Sequence, residues 1–407
     1  MTPAAGPALS YDRRMVGWLS VGQLVTWGSV FYTFALLMEP VERELGLSRA
    51  QSSLAFSLAL LAEGLLAWPV GRLIDRGHER AVMTLGSLAV ALCLFLHSFV
   101  SSVAGFYAVW LGLGAALSAT LYNPVFAVVT RRFPHDFRRA IITMTFLGGL
   151  ASTVFIPTTS WLMDHLGWRH ALMVLAALHL LVCAPLHASL LRGAPRTVTA
   201  GHGDGPHPSG TRLATHLKSA PFLLIGVFVV LMMGVTVSLP AHMVSLLREQ
   251  GLDERWVIAV PAAIGAIQVQ GRLLLFFFER HFDLHLANRL IPCLVPLALA
   301  ALIVAPALDG QRIGAVLLFV LLWGMGNGML TIVKGTAMAE YVNREHVASL
   351  NGALGLPLAL ARAAAPLTLG LLWQPQTGYS HGLWMLLGLS VVGVTSLALA
   401  QQRSRYR

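Results

Sequence analysis

GRLIDRGHER, residues 71–80, sets three arginines, an aspartate and a glutamate between two apolar runs at about residues 51–70 and 81–99. A helix crosses the hydrocarbon core of a bilayer in about 20 apolar residues, and each run has that length. Gly71 and Gly77 would let the chain reverse sharply between the two runs, because glycine tolerates strained backbone conformations. The stretch therefore predicts a charged turn between two membrane-spanning helices.

Composition extends this prediction to the whole chain. Of its 407 residues 56% are apolar and 11% are charged, whereas about 25% are charged in an ordinary soluble domain. Three cysteines lie inside apolar segments, where they predict neither a disulfide framework nor a metal site. We predict an all-α integral membrane protein with twelve transmembrane helices. The apolar segments are at roughly 15–38, 51–71, 81–99, 103–130, 141–163, 170–190, 221–247, 255–278, 287–306, 313–339, 349–372 and 381–400.

The net charge of +10 is not gathered in one patch of the kind that binds nucleic acid. If the N-terminus is cytoplasmic, the basic side chains of the intervening loops and termini concentrate on that side, nineteen against six. Cytoplasmic loops of membrane proteins carry an excess of Lys and Arg. This asymmetry predicts that both termini are cytoplasmic, and we expect the membrane to be a bacterial inner membrane.

Residues 191–217 interrupt the apolar pattern with a stretch rich in Gly, Pro and His. Such a composition is typical of a flexible linker, here a cytoplasmic one. It divides the chain into an N-terminal six-helix bundle, 1–190, and a C-terminal six-helix bundle, 218–407. His202 and His207 lie in the linker without spaced carboxylate or thiol partners, so we predict neither a metal nor a cofactor.

The two halves repeat one another weakly. The tripeptide Gly46-Leu47-Ser48 recurs as Gly251-Leu252-Asp253, and Asp75-Arg76 recurs as Glu279-Arg280, both about 204 residues later. Internal symmetry of this kind is typical of transporters built from two repeats. The second helix is expected to begin after Ser48, which is a favourable N-cap residue.

With this symmetry, the 71–80 loop resembles the signature loop of the major facilitator superfamily, a glycine, then Asp-Arg, then glycine and basic residues. The resemblance implies two pseudo-symmetric bundles of six helices that work by alternating access. It also implies that Gly71, Asp75 and Arg76 form a gating loop on the cytoplasmic face, the alternative being a merely solvated turn. In the present sequence Gly77 follows Arg76 directly, whereas the signature has one residue between them.

Four ionisable residues lie inside predicted helices: Glu63, Arg272, Lys334 and Arg362. Each such charge costs about 2.5–3.5 kcal/mol to insert in a membrane, so we expect these side chains to face water, a substrate or one another. They belong to helices 2, 8, 10 and 11, which the resemblance places around the central cavity. Three of the four are cations in the C-terminal half, which predicts an electropositive cavity.

Arg272 lies in QVQGRLLLFFFER, residues 268–280, which resembles helix 8 of the monocarboxylate transporter and oxalate/formate antiporter group. The segments WGSVFYTFALLMEPVERELGLSRA and LGWR strengthen the resemblance. It implies that Arg272 pairs with the carboxylate of the substrate, which a planar guanidinium can bind with two hydrogen bonds. Two departures concern proton coupling, since Gln268 stands where several members have an acid, and helix 1 lacks the lysine of animal members.

Other polar side chains are candidate substrate contacts beside Arg272. In helix 1, Gln23, Thr26, Trp27 and Tyr32 predict a face that is wetter than lipid. Lys334 has two alternatives to substrate contact, an ion pair with Glu340 and snorkelling to the cytoplasmic surface. The remaining candidates are Asn327, Gln268, Tyr32 and Asn123.

Glu63 is the candidate for proton coupling, because a carboxylate removed from water holds a proton more readily. By the 204-residue repeat Glu63 corresponds to Ile267, which is next to Gln268. Glu63 would then supply the acid that several members of the group have at the position of Gln268. A salt bridge with Arg362 is an alternative, since helices 2 and 11 adjoin in the fold that the resemblance implies. A local polar contact is a third.

We therefore predict a secondary transporter that moves a small organic anion, expected to be a monocarboxylate, coupled to protons. The alternative is an exporter of amphiphilic or toxic compounds by proton antiport. An enzyme would need a clustered nucleophile or metal set, which the spacing of His, Asp and Cys does not provide, while a receptor or channel with this fold stays possible. Its partners are expected to be the substrate, protons and the lipid bilayer, and the protein is expected to be monomeric.

Overall fold

The computed structural model describes residues 12–133, 135–193, 215–278, 284–308, 310–342 and 347–405. Within these ranges the regular elements are helices, with one isolated bridge between Gln374 and Gly378. Ten stretches are long and apolar enough to cross a membrane, and two of them contain 49 and 52 residues. Each of these two exceeds twice the length of one crossing, about 20 residues.

Both long stretches reverse at a glycine with positive φ. Gly77 has φ 88° and Gly167 has φ 77°, values that side chains other than glycine rarely adopt. Each long stretch is thus two helices, and the described chain contains twelve transmembrane helices, which confirms the predicted all-α membrane architecture. They are α1 (Arg13–Leu45), α2 (Arg49–Leu73), α3 (Glu79–His97), α4 (Val103–Arg132), α5 (137–166), α6 (168–190), α7 (Ala220–Glu249), α8 (Glu254–Phe278), α9 (His285–Ala307), α10 (Arg312–Tyr341), α11 (Gly355–Leu372) and α12 (Ser380–Arg405).

Several of these helices are locally irregular. Helix α4 is interrupted at residues 118–121, and α5 is interrupted at Leu150. The finer elements are π-helical turns at Trp27–Tyr32, Ile74–His78 and His179–Cys183, 3₁₀ turns at Ile291–Cys293 and Ala305–Ala307, and helical segments Val103–Leu117, Tyr122–Arg132, Phe137–Gly149, Ala151–Leu178, Ala184–Leu190, Leu284–Leu290, Leu294–Val304 and Val347–Ala353.

The two ends of α2 test predictions about its boundaries. Ser48 accepts a bond from the Gln51 N–H at 3.3 Å and its own N–H donates to Gln51 Oε1 at 2.9 Å. This reciprocal capping confirms Ser48 as the N-cap. At the other end α2 continues through Gly71 to Leu73, so the predicted reversal at Gly71 is wrong. Gly77 alone makes the turn, because its backbone has the positive φ.

The chain forms two compact units. The first contains the described residues up to Leu47 and from Leu58 to 193, and the second contains Ser48–Ser57 and the described residues from 215 onward. Of the predicted linker, residues 194–214 lie outside the described residues, and His202 and His207 are among them.

Large apolar side chains cover the outside of the helices. Leu181 is 71% exposed, Trp68 is 69% exposed and Phe277 is 67% exposed. A soluble protein rarely exposes so much contiguous apolar surface, whereas a bilayer solvates it. These exposed apolar faces are suited to contact with lipid.

Candidate functional site

In the second unit, the candidate site lies where α8 and α10 cross. A β-carbon on Gly328 would overlap the carbonyl oxygen of Gln268, and one on Gly271 would lie 3.0 Å from the carbonyl oxygen of Met325. The two backbones are therefore in direct contact, as small residues allow between membrane helices. This contact fixes which side chains of the two helices share one level in the membrane.

Arg272 lies one turn after Gln268 on α8, at this crossing. Its Nε donates to the carbonyl oxygen of Gly328 at 3.3 Å. Gln268 is buried, and Asn327, the residue before Gly328, is half-buried. Arg272 and Gln268 thus meet α10 at Gly328, the residue that follows Asn327.

Two further cations lie in the same unit. Lys334 is half-buried and follows Gly328 on α10 by six residues, a rise of about 9 Å. Arg362 on α11 is also half-buried, and it lies close enough to Lys334 for their like charges to interact. Two cations near one another favour an anion between or beside them.

In the first unit, an aromatic row connects two other candidate residues. The ring of Tyr32 lies 5.5 Å from that of Phe31, Phe31 lies 5.0 Å from Trp27, and Trp27 lies 5.1 Å from Tyr122. Asn123, the next residue after Tyr122, is exposed. The row starts in the π-helical turn of α1, and such turns are frequent at functional sites.

Glu63 lies one turn beyond a close contact between α2 and α4. A β-carbon on Gly114 of α4 would overlap the carbonyl oxygen of Ala59 on α2, as Gly328 does with Gln268. Glu63 follows Ala59 by one turn. On α10, Gly324 also packs against α8, and a β-carbon there would lie 3.3 Å from the carbonyl oxygen of Ile264, so more than one contact of α8 with α10 resembles that of α2 with α4. The correspondence of Glu63 with Ile267, next to Gln268, stays a prediction. Glu63 is 3% exposed.

Two residues of the polar face predicted for α1, Gln23 and Thr26, have a different role. Gln23 is fully buried, and its Nε2 donates to the carbonyl oxygen of Thr120 at 2.7 Å. Thr120 lies in the interruption of α4, where a carbonyl needs a partner outside its own helix. Thr26 is also buried and bonds to the carbonyl oxygen of Gly22 at 2.9 Å. The prediction that Gln23 and Thr26 face a wet cavity is therefore wrong.

The signature loop contains a buried ion cluster that the sequence analysis did not select. Asp75 and Arg76 are exposed, whereas Glu79, the first residue of α3, is fully buried. Its carboxylate lies 2.5 Å from Arg132 Nη2 and 3.6 Å from Arg131 Nη1. The sequence feature that could have identified this cluster is an acidic residue at the start of a helix, where the helix dipole stabilises negative charge, together with the Arg-Arg pair that ends α4.

Among the described residues, no three His, Cys, Asp or Glu side chains come together as they would around a metal ion. The candidate-site side chains in the two units are amides, aromatic rings, the buried carboxylate of Glu63 and the three cations Arg272, Lys334 and Arg362. In the second unit this arrangement is suited to binding an anion.

Comparisons with known proteins agree with this architecture. The model of the Major Facilitator Superfamily matches residues 19–366. Monocarboxylate transporter 13 of Bos taurus is 28% identical over 309 residues, which are 72% of this chain and 69% of that protein. Monocarboxylate transporter 11 of Mus musculus is 31% identical over 167 residues, which are 38% of this chain and 37% of that protein.

Solved structures share the fold at lower identity. The nucleoside transporter NupG has a TM-score of 0.71 and 16% identity, over 95% of this chain and 98% of that chain. A bacterial homolog of the human lysosomal transporter Spinster, inward-facing and occupied, has a TM-score of 0.70 and 16% identity, over 97% of this chain and 98% of that chain.

Proposed function

The chain belongs to the Major Facilitator Superfamily and is an integral membrane transporter related to monocarboxylate transporters, and we propose that it carries a small monocarboxylate together with a proton. The observation that supports this substrate is Arg272 at the crossing of α8 and α10. Its bond to Gly328 orients the guanidinium, whose rigid planar fork complements a carboxylate.

The surrounding residues supply the rest of the anion site. The amide groups of Gln268 and Asn327 can donate hydrogen bonds to a carboxylate, and both lie at the level of Arg272. Lys334 and Arg362 add positive charge from α10 and α11. Because a proton accompanies the substrate, the pair enters as a neutral unit, which a membrane transporter moves without working against the membrane potential.

For the first unit we propose that Tyr32 and Asn123 contact the substrate and that Glu63 carries the proton or pairs with Arg362. Gly71, Asp75 and Arg76 are proposed to act in gating. The charge asymmetry supports cytoplasmic termini, and we propose that the membrane is a bacterial inner membrane. We also propose that the transporter works as a monomer made of bundles 1–190 and 218–407, joined by the linker 191–217.

Uptake into proteoliposomes tests the substrate and the coupling together. Labelled lactate, pyruvate and acetate are offered under an inward proton gradient, with and without a protonophore. We expect accumulation of at least one monocarboxylate that the protonophore abolishes. Uptake equal to that of protein-free liposomes for all three acids, with export of amphiphilic cations instead, would support the exporter alternative.

Glu63→Gln tests proton coupling, because the amide keeps the shape of the side chain and cannot take up a proton. We expect gradient-driven accumulation to fall to the level seen without a gradient, while exchange of labelled for unlabelled substrate continues. Glu254→Gln is the matched control, since Glu254 is an exposed carboxylate on α8 that pairs with Arg248. Accumulation by Glu63→Gln with the parent's dependence on the gradient would exclude Glu63 as the proton carrier.

A further inference from the structure

The first unit contains a glutamate, a tryptophan and an arginine that bind one another. Trp168 Nε1 donates to Glu44 Oε2 at 3.0 Å, and Arg169 forms an ion pair with Glu44. The guanidinium carbon of Arg169 lies 4.3 Å from the centroid of the Trp168 ring, a cation–π contact. We call Glu44 and Trp168 the first Glu–Trp site.

The second unit repeats the acid and the ring but not the arginine. Glu249 and Trp373 each follow their first-unit counterparts by 205 residues, and Trp373 Nε1 donates to Glu249 Oε1 at 2.8 Å. The residue after Trp373 is Gln374, where the first unit has Arg169. Glu249, Trp373 and the neighbouring Tyr379 form what we call the second Glu–Trp site.

Arg49, from the first turn of α2, takes the place of the missing arginine. Its Nη1 lies 3.7 Å from Glu249 Oε1 and donates a short hydrogen bond to the hydroxyl of Tyr379. Its guanidinium carbon lies 5.1 Å from the Trp373 ring centroid and 5.6 Å from that of Tyr379. Arg49 is 8% exposed, so the site encloses it almost completely.

The backbone after α11 builds this enclosure. Gly378 N–H donates to the carbonyl oxygen of Gln374 at 2.7 Å, which closes a tight turn with Trp373 and Tyr379 at its two ends. A β-carbon on Gly378, whose φ is 51°, would lie 2.9 Å from Glu249 Oε2. The turn therefore needs a glycine, both for its conformation and for the approach of the carboxylate.

The arginines of the two sites are held in different ways. Arg169 is next to Trp168 in the chain and also donates to the carbonyl oxygens of Ser98 and Val100. Arg49 comes from another part of the chain, at the start of α2. The residues of α2 up to Ser57 belong to the second unit, and those from Leu58 onward belong to the first. The second site opens onto a groove of about 660 Å³, in which a released guanidinium would find solvent.

We infer that the second Glu–Trp site is a guanidinium-binding site that Arg49 occupies in one conformation of the transport cycle and leaves in another. Arg169 stays in the first site throughout the cycle. The site thus acts as a latch for the first turns of α2. This inference depends on the protein being a transporter and does not depend on the identity of the substrate.

Electron–electron distance measurements test the latch in the reconstituted full-length protein. Spin labels are attached to cysteines introduced at Ala50 and Gln376, after the three native cysteines are replaced. In the parent we expect two populations of molecules, one with a shorter and one with a longer distance between the labels. In Arg49→Gln and in Glu249→Gln the ratio of the longer-distance to the shorter-distance population should rise about fivefold. Arg49→Lys keeps the charge without the planar stacking and should give an intermediate ratio.

Arg169→Gln is the matched control in the first Glu–Trp site. It should lower the temperature of unfolding and leave the distance ratio at the parent value. An unchanged ratio in folded Arg49→Gln and Glu249→Gln would overturn the latch. So would one short distance in the parent under all substrate and pH conditions, because Arg49 would then be a permanent structural contact.

Discussion

Replacing Arg272 by alanine is expected to reduce the initial rate of monocarboxylate uptake by about 100-fold or more. Removing one partner of a desolvated, hydrogen-bonded charge pair typically costs about 2–5 kcal/mol, and each 1.4 kcal/mol is a factor of ten. The uptake rate at low substrate concentration measures this loss directly. Alanine also removes the donor to the Gly328 carbonyl, so folding is monitored separately by thermal unfolding.

Two further variants separate charge from geometry at this position. Arg272→Lys keeps the positive charge but has no planar fork. We expect its uptake rate to exceed that of Arg272→Ala by about tenfold at most. Arg255→Ala removes an exposed arginine from the same helix and should leave uptake unchanged. Uptake by Arg272→Ala at the parent rate, in a protein that unfolds at the parent temperature, would remove Arg272 from the substrate site.

The parts of this structure that the sequence predicts correctly are those that the membrane itself imposes. Apolar runs of fixed length give the twelve helices, because every backbone group in lipid must be bonded within its own helix. The start of α2 was likewise predictable, since Ser48 and Gln51 interact over three residues of sequence. In both cases the determinants are local.

The rotation of each helix about its axis depends on contacts with distant parts of the chain, and the sequence predicted it less accurately. Gln23 was expected to face a cavity, but it binds a carbonyl exposed by the interruption of α4, which no pattern in α1 reveals. Gly114 and Gly328 lie where neighbouring helices touch, and no pattern within one helix shows which residue of the next helix each glycine contacts.

A second large effect is expected from Glu79, which is fully buried against two arginines. Glu79→Gln would leave Arg131 and Arg132 near one another without the carboxylate. Breaking a buried ion pair by removing one partner costs about 3–5 kcal/mol, so the unfolding temperature should fall by about 10 °C. Tryptophan fluorescence of the purified protein during heating measures this change.

Asp75→Asn is the matched variant, because Asp75 lies in the same loop and is exposed. Exposed substitutions usually change the free energy of unfolding by less than about 0.5 kcal/mol, so its unfolding temperature should stay near that of the parent. Arg132→Gln together with Glu79→Gln should destabilise less than the sum of the single changes, since both remove the same interaction. Additive effects would mean that the contact between Glu79 and Arg132 contributes nothing to stability, and the cluster would then be an incidental arrangement around the loop.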